Sequence, residues 1–273
     1  MSIRQPLTNK ELFKQAPSIF AETAIEGLSD RYAFVPTYKV LDTFREAGYY
    51  PILAGESKVR NPDNYGYQKH FIQFRSLDNL LRPDATEEYA DAILVNDHSG
   101  KSSFKVNLSY LRVVCQNMLI VPSHTFVSTS IVHSGFQDNK IQDAIEEVTS
   151  FMPQMEEEIK RFKALDLSSI EQYSLAKAAV DLRFDTKKHQ INPRELLKIQ
   201  REEDNDSSLW TVFNRIQEAV IRGGVKGKNT ETGRNFTSKP INAIDANLSL
   251  NKELWSTVKM MADFKTSASP IAA

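Results

Sequence analysis

The sequence predicts an α+β protein with a mainly antiparallel sheet in its N-terminal half, packed by a long helix and followed by a helical C-terminal half. Three observations carry this expectation. Between residues 49 and 108 short apolar or alternating runs are separated by clusters of turn-forming residues, which is the signature of paired strands. From Ile141 to Phe162 apolar residues return at alternating intervals of four and three, the rhythm of one helical face. Beyond residue 166, capping residues repeatedly precede helical periodicity. The predicted division is a sheet domain with its long helix over 1–165 and a mainly helical region carrying a basic, glycine-rich loop over 166–273, the two packed as one unit.

Composition bounds the class. A chain of 273 residues with 41% hydrophobic residues can bury roughly 75% of its unfolded surface, so it folds without disulfide or metal staples. The formal net charge of −1 excludes a globally basic binder and leaves local patches to be located by position. The one cysteine, Cys115, has no internal partner, which fits a reducing compartment. No apolar run approaches the roughly 18 residues of a membrane span, and the N-terminus has no signal-peptide core. A cytoplasmic protein without a membrane partner is expected.

In order, Thr8 caps a short helix that Pro17 ends. Tyr32 to Pro36 reads as a short strand. Thr37 then caps a helix with Val40, Leu41 and Phe44 on its apolar face, closed at Gly48. Tyr49 to Arg60 and Tyr67 to Arg75 form an antiparallel pair around the turn-rich stretch Asn61 to Gly66. Ile93 to Val95 is a buried strand joined through Asn96 to Gly100 to a second strand ending at Leu108, Gly100 being free to take positive φ. Leu111 to Val121 is a nearly continuous apolar run in which Cys115 reads as a small core residue, and Thr125 to His133 is a last, edge strand.

Asp138 caps the long helix, whose seam is Ile141, Ile145, Val148, Met152, Met155, Ile159 and Phe162. Pro153 predicts a break in it. The seam packs on the sheet; self-association is the other use open to three heptads. Ser168 with Glu171 makes a capping box for a helix through Tyr173, Ala176, Ala179 and Val180. Asn192 with Pro193 opens another helix, and Ser207 or Ser208 a third along Leu209, Val212, Phe213, Ile216 and Val220. A final helix is anchored by Leu254, Trp255, Val258, Met260 and Met261, with a frayed tail from Thr266.

Two stretches are basic. Period-two counting places Tyr67, Lys69, Phe71, Gln73 and Arg75 on one strand face, with Lys58 and Arg60 near it on the partner strand. Rings that stack on bases beside cations that follow phosphates are what an unpaired nucleic-acid strand requires, although an amphipathic sheet with its rings under a helix has the same pattern. The second stretch, Arg222 to Lys239, holds Arg222, Lys226, Lys228, Arg234 and Lys239 against the single Glu231. It reads as a mobile loop in which glycines expose backbone donors beside cations. It is not a Walker A loop, because the spacing is wrong.

A second, polar candidate site consists of Asp97, His98 and Asn117. Adjacent acid and imidazole at a strand end point apart, so turn formation is the stronger use. His70, His98, His124, His133 and His189 lack paired ligand spacing, and no metal or other cofactor is implied.

The strings RYAFVPT, KVRNP, KHFIQFR, ILVNDHSGKSSF, RVVCQNML, LWTVFNRIQEAVIRGG and INAIDANLSLNKELW occur in that order. Together they resemble an uncharacterised family of phage- and plasmid-encoded bacterial proteins, the domain-of-unknown-function family numbered nine-three-two, nearly end to end. The resemblance implies mobile elements, their DNA metabolism and their contest with host defences. It supplies no catalytic residues. The resulting expectation is a protein of a phage or plasmid that binds single-stranded DNA in recombination or replication through both basic stretches, with strand annealing suggested by fold analogy. The alternative is a protein-binding module that blocks a host defence enzyme.

Overall fold

The computed structural model describes residues 5–29, 32–81, 88–112, 117–121, 129–131 and 138–268. The fold is α+β, with the antiparallel sheet in the N-terminal half and helices dominating the C-terminal half. The chain divides into two units, Met1–Pro153 and Gln154–Ala273. The division falls at the proline inside the long helical stretch, and most of that stretch's second helix belongs with the C-terminal unit.

In the first unit, helix α1 (Asn9–Gln15) begins with a reciprocal cap in which Thr8 and Glu11 each satisfy the other's backbone N–H. A single 3-10 turn, Pro17–Phe20, follows. Residues 32–36 are irregular where a strand was expected. The Val35 carbonyl is taken by the Asn96 side chain, and Pro36 has no N–H to give a ladder. Helix α2 (Thr37–Glu46) has Pro36, not Thr37, at its N-cap, and it buries Val40, Leu41 and Phe44. The Phe44 ring stacks on Phe74 at 3.9 Å.

Strands β1 (Tyr49–Glu56), β2 (His70–Ser76), β3 (Glu88–Asn96), β4 (Phe104–Arg112) and β5 (Asn117–Val121) pair antiparallel in sequence order, with a short helix α3 (Leu77–Leu81) after β2. Strand β6 (Thr129–Ile131) pairs with β4 beyond the end of β5. The β1–β2 connection runs from 57 to 69, wider than the turn-rich residues alone, because Gln68 is buried and its amide is spent on Glu56 and on the Gly66 N–H. The β3–β4 hairpin has the predicted turn. Gly100 adopts φ +75°, with the Leu28 side chain where a Cβ would lie.

Helix α4 (Asp138–Ser150) and helix α5 (Met152–Lys163) are separated at Phe151, ahead of Pro153. Proline cannot donate to the carbonyl one turn back and its ring crowds it, which ends the first helix. Every residue of the predicted seam is buried. Helix α4 lies on β4 and α2.

The second unit is built around helix α7 (Leu209–Arg222), capped by Ser208 and buried from Leu209 to Val220. Helix α6 (Ser169–Arg183) carries the predicted capping box, and helix α8 (Ile244–Ala268) contributes the fully buried Trp255, whose ring meets Phe162 and Phe213. Met260 is exposed, not part of that anchor, and the helix continues past Thr266. Asn192 and Pro193 open only a 3-10 turn, Pro193–Leu197. The expected mobile loop is a small sheet. Strands β7 (His189–Gln190), β8 (Lys226–Asn229) and β9 (Asn235–Thr237) pair antiparallel. No helix among the described residues is long and apolar enough to cross a membrane.

Candidate nucleic-acid interface

The β8–β9 hairpin is fixed by contacts that its glycines hide. Gly223 has φ +78°, and a Cβ there would meet the Ser238 carbonyl oxygen at 2.6 Å, so only glycine lets the chain leave α7 this tightly. At the far end Asn229 Oδ1 accepts from the N–H groups of Glu231 and Thr232 and from the Thr232 hydroxyl, locking the turn. Lys226 pairs with Thr237, Gly227 with Phe236, Lys228 with Asn235, and Gln190 with Lys228. Alternation therefore puts Gln190, Lys226, Lys228, Asn235 and Thr237 on one face of the three strands, and Gly227 and Phe236 on the other.

These strands border an open groove of about 970 Å³ that reaches from Tyr173 and Gln190 across to Phe236 and Thr237. Tyr173 is 42% exposed at its edge. The Phe236 ring is half-buried, set edge-on to His189 at 4.9 Å, and rests where a side chain at position 227 would be. Lys226, Lys228, Arg234 and Lys239 are exposed. None of Lys228, Arg234 and Lys239 has an ion pair among the described residues. The groove's one carboxylate, Glu195, lies 2.6 Å from Lys198. That ammonium, helped by the Lys226 N–H, holds the Glu195 carboxyl below its ordinary range, so its charge is compensated within the protein. Arg222 is bound differently from the other cations of the stretch: it pairs with Glu218, which also binds Arg201.

The first basic stretch departs from expectation. Lys58 and Arg60 are exposed on the β1–β2 connection, and Tyr67 and Lys69 are half-buried there. The Phe71 ring packs over Gly55, within 2.7 Å of where a Cβ at that glycine would lie. Arg75 is 1% exposed and makes a bidentate bond to Asp91, at 2.8 Å through both Nε and Nη2, while Gln73 donates to the same carboxylate at 2.6 Å. Arg75 is therefore no nucleic-acid ligand. Strand alternation correctly put Gln73 and Arg75 on one face, but that face is buried here, and a fixed guanidinium saturates a carboxylate that could not otherwise leave water. Lys58 and Arg60 belong to one unit, and the hairpin to the other.

Asp97 and His98 do point apart. Asp97 accepts from the Ser99 N–H and hydroxyl, which makes it a turn residue. His98 enters a buried chain that the sequence did not announce. Asn96 donates through its amide to the Val35 carbonyl and to Thr37 Oγ1, so the Thr37 hydroxyl must send its own hydrogen to an imidazole. Ser18 Oγ donates to Glu56 at 2.8 Å, which makes His70 Nδ1 a donor toward Ser18 Oγ and the Gln68 carbonyl. His70 Nε2 then accepts from Thr37 at 2.8 Å, and His98 Nε2 donates to Thr37 at 3.2 Å. Every hydrogen in the chain His98, Thr37, His70, Ser18 is directed toward the Glu56 carboxylate. Burial drives His70 down to about 4, so the ring is neutral at neutral pH. Ser18, Thr37, His70 and His98 are all fully buried, and this arrangement ties the N-terminal arm and the start of α2 to the sheet.

Asn117 opens β5 opposite Arg112, and its side chain is outside the described residues. So are Cys115, His124 and His133, and the expected strand Thr125 to His133 except for β6. Among the described residues no three His, Cys, Asp or Glu side chains are grouped to hold a metal ion.

The groove residues Tyr173, Gln190, Asn235 and Phe236 were missed by sequence reasoning. Tyr173 reads only as one residue of the helix that Ser168 and Glu171 open, and the glycines conceal the alternation in KGKN and NFT that would signal paired strands.

Residues 24–255 match the family model described as Domain of unknown function (DUF932). The chain is 33% identical over 251 residues to the UPF0380 protein YafZ of Escherichia coli K12, and equally to the UPF0380 protein YfjQ of the same strain. Each alignment covers 92% of this chain and 90% of the relative. No solved structure matches the chain significantly.

Proposed function

The chain belongs to the DUF932 family, and from that premise and the geometry of the hairpin groove we propose that it binds single-stranded DNA, in the replication or recombination of a mobile element. The observation that carries this reading is that the groove is bordered by a hairpin with two exposed lysines on one face, Lys226 and Lys228, and is lined as well by the exposed ring of Tyr173, with Phe236 half-buried on the hairpin's other face. Cations spaced along a strand contact successive phosphates, and rings of any sequence context stack on unpaired bases. A duplex offers its bases only at the groove edges, so the exposed Tyr173 ring favours an unpaired strand. Arg234 and Lys239 extend the positive surface beyond the groove.

The test is fluorescence anisotropy with a labelled oligonucleotide. Lys226→Glu with Lys228→Glu should abolish retention of the single strand, while Lys252→Ala, an exposed cation of α8 outside the groove, should leave it unchanged. Equal binding by the charge-reversed protein and its parent would remove the groove from the account. Failure of the parent to bind any oligonucleotide would leave the groove to a partner protein, such as a host defence enzyme.

A further inference from the structure

The hairpin face carries more than a phosphate track needs. Following an anionic backbone requires cations and backbone donors, yet the strand register sets Lys228 between two carboxamides, Gln190 on β7 and Asn235 on β9. Three neighbouring strands thus present amide, ammonium and amide side by side on one face, with strand axes about 4.8 Å apart. All three are exposed and line the groove.

The two amides differ from their neighbours in what they do. Asn192 caps the 3-10 turn through the Arg194 N–H, and Asn229 is consumed by the hairpin turn. Gln190 and Asn235 have no side-chain hydrogen bond among the described residues. They are held by strands and not by a flexible loop, so their amides are positioned without being used. An amide offers both a donor and an acceptor, the pattern that matches adenine N7 and N6, and its donor alone meets guanine N7 or O6. In an unpaired strand those edges are open.

We infer that Gln190 and Asn235, which flank Lys228, read base edges and give the groove a preference for purines over pyrimidines. Lys228 between them, with Lys226 and Thr237 in the adjacent row, holds the phosphate. The exposed ring of Tyr173 supplies stacking, which favours no base strongly. This inference rests on the reading of the groove as a single-strand site.

Its test separates the two. Short labelled oligothymidylates carrying one central A, G or C are titrated against the purified protein at fixed salt, with the unmodified oligothymidylate alongside. The A and G probes should bind about fivefold or more tighter than the C and T probes. Gln190→Ala with Asn235→Ala should erase that difference while keeping the salt dependence of binding, and circular dichroism should match the parent. Because loss of preference could follow a local disturbance, Gln190→Glu with Asn235→Asp provides a second arm. Carboxylates accept from the cytosine amino group, so the preference should move toward the C probe. Equal binding of all four probes by the parent protein, or a purine preference surviving the double alanine variant, would overturn base reading and leave the groove as a sequence-neutral site. No binding of any probe would overturn the single-strand reading and this inference with it.

Discussion

Replacing Arg75 by alanine should damage stability and not binding. In the folded protein Arg75 and Asp91 are 1% and 0% exposed, and the carboxylate receives two bonds from the guanidinium and one from Gln73. Removing Arg75 takes two bonds and the paired charge from a buried carboxylate, a change that costs about 3–5 kcal/mol. For a protein whose total stability is of order 5–15 kcal/mol, that is a large fraction. With a urea slope of about 2 kcal/mol per molar, the unfolding midpoint of the N-terminal unit should fall by roughly 2 M. The cost belongs to the orphaned charge, so Arg75→Met combined with Asp91→Leu should recover most of it. Circular dichroism across a urea series, with an oligonucleotide titration under native conditions, reads both quantities. A variant that unfolds within about 0.5 kcal/mol of the parent, as surface substitutions do, but loses oligonucleotide affinity would refute the buried-pair account and return Arg75 to the surface.

The buried histidine makes stability depend on pH. His70 is depressed from 6.5 to about 4, so between those values the unfolded chain binds a proton that the folded chain refuses. Stability is then complete above about pH 6.5 and declines as pH falls toward 4, by about 3 kcal/mol from this residue. Thermal melts of the parent and of His70→Gln across that range should diverge in slope, and parallel curves would exclude the assignment. Gly223→Ala sets a Cβ against the Ser238 carbonyl at a left-handed backbone position. It should cost about 1–3 kcal/mol and loosen the hairpin, seen as faster amide exchange at Lys226 to Asn229, and unchanged exchange would show that the turn tolerates a side chain.

The elements that sequence disclosed are those whose signals are local. Thr8 with Glu11, Ser168 with Glu171 and Ser208 fix helix starts through contacts three residues apart, and the 141–162 seam repeats often enough to reveal its buried face. Pro153 disclosed the break in the same way. What stayed hidden depends on partners distant in the chain. Arg75 reads as a surface cation until Asp91 is placed beside it, and Thr37 reads as a cap until its hydroxyl is found between His70 and His98. The hairpin was hidden by Gly223, Gly224, Gly227 and Gly233, since glycine is as compatible with a mobile loop as with the tight turns and ring packing it serves here. The cations at its surface, Lys226, Lys228, Arg234 and Lys239, were legible because charge runs are visible in one dimension. Their neighbours Gln190 and Tyr173 come from other elements, and only folding brings them to the same groove.

Under the proposed function the hairpin's cations displace counterions from an unpaired strand, and the slope of log affinity against log salt measures this most directly. Three phosphate contacts, from Lys226, Lys228 and Arg234, at about −0.7 each give an expected slope of about −2, or about a 20-fold loss between roughly 50 and 200 mM salt. Lys226→Ala with Lys228→Ala should bring the slope to about −0.7. An affinity that does not change over that range, or a slope untouched by removing both lysines, would contradict it.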